Sequence, residues 1–551
     1  MKRAYLAPVV CLLGLGVLVA QAVRADFLDK SAADWQKELS DPDAKVRRSA
    51  AFALGRLGVD ARSAVPALVQ RLREDSEARV RDMAASALGD IAKALKGDAG
   101  DVWRDAAGTL VNVLKKDEHA PVRRSAAYAL GTFGPPGAGA APALRQALGD
   151  QDASVRQNAA WALGQIGERA AEAVEALCAC LRDKDVLVRR DAADALGSMG
   201  KDGAAGVAPL IDLAKSEPDD VVRTTALNSL SYLAGPEHKK FAPGLTPLLE
   251  DKNPEVSLKA AIVLAHVGGD EAVRGLSVLR RALKSTDAEN QKLAVAALAT
   301  PSFGPKAAPA MHDLADVLTN EKNPTMVRRY AALAIAHIGP EAEPVVPALV
   351  QALRRDQPVA VRQYVAEAMG QMKWPATAAA MDAILDAIEK DTDPIVRQKC
   401  VWSLFPMSRD DLVRTKADKA LAKVIEEPAG EMNIARYDAA RKLAQALGAD
   451  APDKTADVLL HMLQNKMLKV YTSTDASVRG AGTEAAAANV NVKANIGGDA
   501  RFMAAEALGY LQAKAKARPD VVRALEEAAE DKDEKLQEKA KQALKAIGVK
   551  E

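Results

Sequence analysis

Seven aspartates of a recurring phrase in this 551-residue chain are each followed six positions later by an arginine: Asp41/Arg47, Asp75/Arg81, Asp117/Arg123, Asp150/Arg156, Asp183/Arg189, Asp356/Arg362 and Asp391/Arg397. Acid–base chemistry by carboxylates needs groups that converge on one reacting bond, and these recur singly at long intervals. Their other chemistry is structural. An Asp just before a helix can accept from its free backbone N–H groups, and a guanidinium can grip a neighbouring carboxylate through two parallel hydrogen bonds. The pairs therefore read as a ladder between successive units of structure.

Other candidates for chemistry are sparse. The histidines are His119, His238, His266, His312, His337 and His461. His266 and His337 occupy equivalent places two units apart, roughly 20 Å at 8–10 Å per helix layer, too far to share a metal bound at about 2 Å. Cys178 and Cys180 sit two apart on one predicted helix, so their side chains diverge, and Cys400 is distant. No disulfide is expected, and neither cysteine has a partner at metal-site spacing. The Gly-rich run GPPGAGAAP at 134–142 follows a helix rather than a strand, which makes it a connector and not a phosphate loop. No catalytic residue, metal or cofactor is expected, and the chain reads as non-enzymatic.

The elements that carry the Asp–Arg pairs repeat one phrase. It reads DPDAKVRRSAAFALGRLG at 41–58, DQDASVRQNAAWALGQIG at 150–167 and DKDVLVRRDAADALGSMG at 183–200. Alignment on the arginine gives Arg47, Arg81, Arg123, Arg156, Arg189 and Arg223, then Ser257 and Gln291. It continues with Arg328, Arg362, Arg397, Arg436, Arg501 and Gln537. A period of this kind signals stacked supersecondary units. Each unit holds two helices, the first often opened by a proline such as Pro66, Pro142 or Pro347, the second running through VRxxAAxALG and stopped by glycine.

The Asp, the Val-Arg pair and the AAxALG that follows resemble HEAT repeats, in particular the phycobilisome-lyase-like subgroup, over nearly all of 31–548. The resemblance implies an all-α fold, a right-handed α-solenoid (superhelix) of about 14 two-helix repeats, with second helices lining the concave side. Iron hydroxylases of HEAT type (deoxyhypusine hydroxylase) use His-Glu dipeptides, and none of the six histidines here precedes a glutamate. The subgroup name also suggests a bilin lyase or chromophore chaperone, a role at odds with an exported chain.

Export is expected from residues 1–25, MKRAYLAPVVCLLGLGVLVAQAVRA, in which Lys2 and Arg3 precede an apolar run and Val23-Arg24-Ala25 offers small residues for cleavage before Asp26. The alternative is an anchor kept in place. Cleavage would leave 26–551 as a periplasmic or secreted solenoid without stable membrane insertion. Three departures from the repeat stand out. Ser257 and Gln291 replace the ladder arginine, and Pro301 shortens a second helix, so stacking should weaken across 250–305 and allow a bend. An insertion at 471–498 should protrude, as a surface loop or, since KVYTST and NVNVKANI alternate, as a hairpin. The last unit and tail, 531–551, are polar enough to cap a solenoid.

Lys and Arg total 75 against 74 Asp and Glu, which excludes a broad nucleic-acid footprint. Aromatic residues make up only 4%, and alanine takes their place in helix packing. The aromatics that remain gather on a lane one, five and nine residues after each ladder arginine, the stripe expected to face the concavity. Its candidate binding residues are Arg48, Phe52, Arg56, Arg124, Tyr128, Gln157, Trp161 and Arg190. They continue with Tyr232, Arg329, Trp402, Tyr437, Arg441, Phe502 and Tyr510. Tyr, Trp and Arg dominate protein-binding hot spots, so a protein or peptide partner is expected, with a glycan as the alternative ligand and groove filling as the structural one.

Overall fold

A computed structural model describes residues 30–95, 102–428, 434–465, 469–478 and 490–549. The expected signal segment lies outside the described residues, as do positions 479–489 of the insertion. The described chain is helical apart from one two-stranded hairpin. It divides into two compact units, residues up to Val263 and from Leu264 onward.

In the first unit the second helices are Ala44–Leu57, Ala78–Ala94, Ala120–Thr132, Ala153–Ile166, Val186–Ser198 and Asp220–Leu233. In the second unit they are Ala288–Leu298, Thr325–Ile338, Val359–Met372, Pro394–Ser403, Ile434–Leu447, Arg501–Tyr510 and Glu534–Ala546. Within each unit each packs on the next, and each packs on its own first helix, such as Val65–Glu74 or Val174–Cys180. The AAxALG phrase supplies the core: Ala50, Ala51, Ala53 and Leu54 are wholly buried, and so are Leu88, Leu130, Leu163 and Leu196 at the same place in later repeats. Burying each such leucine contributes about 1.5–3 kcal/mol.

The phrase contains two kinds of glycine. The one inside AxALG lets second helices approach closely: a Cβ on Gly131 would lie 2.6 Å from the Trp161 ring and 2.7 Å from Ala162 Cα. The one three residues later ends the helix, as Gly167 does at φ 68°, a left-handed conformation that costs glycine little.

The ladder forms, with one change of role. Arg156 donates from Nε and Nη2 to the two carboxylate oxygens of Asp183 in the next repeat (2.7 and 2.8 Å), and from Nη1 to the carbonyls of Asp150 and Gln151 (2.8 and 3.1 Å). Arg47–Asp75, Arg81–Asp117, Arg123–Asp150 and Arg362–Asp391 repeat the bidentate grip. Arg189 takes Glu217 and Arg223 takes Asp251, while Arg397 reaches Glu427. The ladder Asp is not the helix cap, however. Asp41, Asp75, Asp117, Asp150, Asp183 and Asp391 accept from the backbone N–H two residues on, and where an Asp caps the helix it is that second residue, as at Asp43, Asp152, Asp185 and Asp393. The first carboxylate is occupied by the incoming arginine, so the second does the capping.

Asp356 departs from the ladder. It pairs with exposed Arg354 at 2.8 Å, and the amide of Gln357 receives Arg328 instead at 2.6 Å. The replacements at 257 and 291 turn inward to their own repeats: Ser257 Oγ donates to Pro254 O and Gln291 Nε2 to Leu283 O, both at 2.9 Å. Helix Ala288–Leu298 stops ahead of Pro301. In the insertion, Lys469–Val478 pairs antiparallel with Val490–Asp499, so the alternating pattern does form a hairpin. The terminal helix Glu534–Ala546 buries Leu536, Ala540 and Ala543 and carries charge elsewhere.

Candidate functional site

The lane residues separate into those consumed by contacts between repeats and those left open. Consumption follows from the second helix geometry: each side chain one or five positions beyond the ladder arginine can meet the second helix of an adjacent repeat. In the first unit, Tyr128 stacks on Trp161, ring centroids 5.3 Å apart and planes 18° from parallel, and its hydroxyl donates to Asp90 at 3.4 Å. Trp161 in turn covers Gly131. These two rings fill the grooves between neighbouring second helices, although each remains partly accessible. Gln157 Nε2 and Arg190 Nε both donate to Asp191, at 3.0 and 2.8 Å, and Arg124 lies 3.5 Å from Asp82. Arg48 is half-buried, whereas Arg56 is exposed. Phe52 and Tyr232 stay 47% and 41% exposed.

Burial of carboxylates along this lane is informative. Burial pushes the Asp90 carboxyl above its usual range against the pull of the Tyr128 hydroxyl and Arg56. The same cause, reinforced by nearby Asp191, raises Asp194, a residue whose surface is nevertheless exposed. A side chain that water reaches while surrounding atoms crowd it sits in a recess.

In the second unit Asp438 is the hub that sequence reasoning missed. It accepts from Gln398 Nε2 (2.9 Å), Trp402 Nε1 (2.8 Å) and Arg441 Nη1 (2.7 Å). Arg329 lies 4.7 Å above the Tyr364 ring and donates to its hydroxyl at 3.1 Å. Tyr437 is buried at 3% exposure, stacked on His461 with its hydroxyl 3.0 Å from the ring nitrogen, so it is a packing residue and not a groove residue. Phe502 is covered by Lys535, 3.8 Å from the ring centre. Tyr510 is left open, 41% exposed. The hub carboxylates Asp191 and Asp438 sit two residues past the ladder arginine, a position where no other repeat carries an acidic residue, and that departure was the available signal.

Among the described residues no group of three or more His, Cys, Asp or Glu side chains is placed to hold a metal. Cys178, Cys180 and Cys400 are free thiols. Burial raises all three, Cys180 to about 11, which disfavours the reactive thiolate. Burial lowers the His337 imidazole below its ordinary value. Lys442 is held at about 8 by burial, its ammonium donating to the carbonyls of Phe405 and Met407 at 2.8 Å each. Among the described residues no helix is long and apolar enough to cross a membrane.

Comparison with known proteins gives the relationship. The family described as HEAT repeats matches residues 32–102, 107–172, 142–231 and 313–405, together more than half the chain, and a HEAT-like repeat matches 78–133. No curated protein matches. Similar solved structures include an engineered protein, at 24% identity over 68% of this chain and 98% of that one, TM-score 0.46. Importin beta in an ammonium sulfate condition is 12% identical over 94% and 84%, TM-score 0.43. A structure in which Kap95p binding induces the switch loops of RanGDP to adopt the GTP-bound conformation matches at 13% identity over 93% and 71%, TM-score 0.50. The matched repeats, the ladder that joins them and the shared helical fold carry one conclusion: the chain belongs to the HEAT-repeat family.

Proposed function

We propose that this protein is a non-enzymatic, extracytoplasmic scaffold that recognises proteins or peptides through the lane side chains of its second helices. The observation that carries this reading is the set of aromatic and arginine residues left open after the repeats have been stitched together: Phe52 and Arg56 at one end of the first unit and Tyr232 at the other. Phe52 keeps 47% of its surface exposed beside exposed Arg56, and both residue types suit a binding hot spot. Kap95p, of similar fold, binds a protein, RanGDP, which supports a protein partner in general terms. The signal-like segment 1–25 supports a location outside the cytoplasm.

The test is affinity capture from the exported fraction with the full chain, Phe52→Ala, Tyr232→Ala and a variant lacking 471–498. The expected result is a captured protein lost on at least one aromatic substitution, with melting unchanged because both rings are exposed. Capture that survives all three changes would sink the lane reading. Tyr128→Ala and Trp161→Ala should instead lower melting, since those rings pack between helices.

A further inference from the structure

A cavity of about 610 Å³ lies in the second unit, where helices Ile434–Leu447, Arg501–Tyr510 and Glu534–Ala546 bring their C-terminal ends together. That volume is within the roughly 300–1,000 Å³ of small-ligand clefts. Its charged groups are already matched: Arg409 pairs with Asp450 at 2.7 Å, and Lys539 with Glu506 at 2.8 Å. Side-chain charge across the cavity therefore sums to zero, and a strongly charged ligand would have to break one of these pairs. Each ion pair still offers spare N–H groups and lone pairs.

The neutral groups point the same way. Gln445, Gln512 and Tyr510 also line the cavity, and among the described residues their side-chain amides and hydroxyl make no hydrogen bond. Gln542 donates to Glu538 at 2.9 Å and keeps its own carbonyl oxygen free of that bond. Apolar lining comes mainly from methyl-sized side chains such as Ala444, Ala446 and Ala543, so the cavity has no deep hole for a large apolar anchor. The Tyr510 ring, 41% exposed, supplies one flat apolar face. Gln512 holds φ 46° and ψ −117°, a conformation that strains any residue with a Cβ and that tends to be kept at ligand sites.

We propose that this cavity is a binding site for a neutral oligosaccharide. A sugar hydroxyl both donates and accepts, which matches a wall of alternating amide, carboxylate, ammonium and guanidinium groups with no net charge. The C–H face of a pyranose ring packs on the negative face of an aromatic ring, and Tyr510 is placed for it. A peptide would need either an apolar pocket or an uncompensated charge, and the cavity has neither.

The test titrates the full chain by calorimetry with neutral hexasaccharides (maltohexaose, cellohexaose, chitohexaose and mannohexaose), a sulfated oligosaccharide and a random peptide mixture. The expected result is saturable binding of a neutral sugar, unchanged between about 50 and 500 mM salt because no net charge is engaged. Tyr510→Ala should weaken it at least tenfold and Gln445→Ala severalfold, both with unchanged melting, while Val221→Ser in the first unit leaves it intact. Absence of binding by every neutral sugar, preference for the sulfated one with steep salt dependence, peptide binding abolished by Tyr510→Ala, or full sugar affinity in Tyr510→Ala would each overturn the proposal.

Discussion

Arg156→Met removes one rung of the ladder, and its cost can be worked from the contacts. Four hydrogen bonds go, two of them charge-assisted to Asp183, and the arginine and aspartate side chains are only 8% and 12% exposed. Breaking a buried pair by deleting one partner costs about 3–5 kcal/mol, chiefly because the other charge stays buried. Asp183 keeps the backbone N–H of Asp185 at 2.9 Å, which places this rung near the lower figure, about 3 kcal/mol. Asp183→Asn preserves that acceptor while removing the charge. The double variant Arg156→Met/Asp183→Asn should therefore lose at least 1 kcal/mol less than the sum of the single losses. A solenoid need not unfold in one step, so the readout is hydrogen exchange of amides in the helices on either side, alongside urea unfolding. The expected loss of protection is confined to the repeats around 150–200. A loss below 1 kcal/mol, or strict additivity in the double variant, would refute the argument that the pair joins repeats.

Other outcomes follow from the same structure. The Arg156 guanidinium holds the Asp183 carboxyl below its usual range, as Arg189 does Glu217 and Arg223 does Asp251. A depressed carboxylate stabilises the fold above its unfolded pKa of roughly 4 and loses that contribution as pH falls through the folded value, so the urea midpoint of the first unit should fall in acid below about pH 4. Lys442 has the opposite sign. Its folded pKa of about 8 lies below 10.5, so the unfolded chain holds the proton more tightly and stability should rise between those values, by about 3 kcal/mol in full. Lys442→Met should flatten that alkaline rise, and an unchanged pH profile would refute the role of burial. Gly131→Ala should cost about 1–3 kcal/mol in thermal melts by forcing Trp161 and Ala162 away, whereas Gly108→Ala, whose Cβ would meet nothing within 4 Å, should be harmless.

The repeats were legible because their signal is local and repeated: Val-Arg, the small residues and the stop glycine each have one structural job at one position, and the period exposes them. The missing arginines at 257 and 291 could be read the same way. What could not be read was competition between nearby polar groups. Two carboxylates two residues apart, such as Asp150 and Asp152, look interchangeable in sequence, and only the direction of Arg123 decides which is bonded and which caps. Asp356 and Gln357 were exchanged in the same way: Gln357 receives Arg328, while Asp356 pairs with Arg354.

The lane shows the limit most plainly. Periodicity places Tyr128, Trp161, Tyr232, Tyr437 and Tyr510 on one stripe, yet their fates differ with the neighbour each meets. Tyr128 and Trp161 face the preceding second helix at a glycine, Gly89 and Gly131, which leaves room for a ring to lie down between repeats. Tyr437 meets His461 and is sealed. Tyr510 lies beside the helix Glu534–Ala546, which offers Gln542, Ala543 and Ala546 on that side together with Lys539, whose ammonium is drawn to Glu506, and the ring stays 41% exposed. Openness at a lane position is thus set by the side chains of an adjacent repeat, a pairing across 24 or more residues that spacing alone does not reveal. It follows that enlarging the last repeat, by Ala546→Phe, should close the cavity over Tyr510 and remove sugar binding without touching any group that bonds the ligand. A variant that folds, shields Tyr510 from solvent quenchers and still binds sugar would show that the ring lies outside the site.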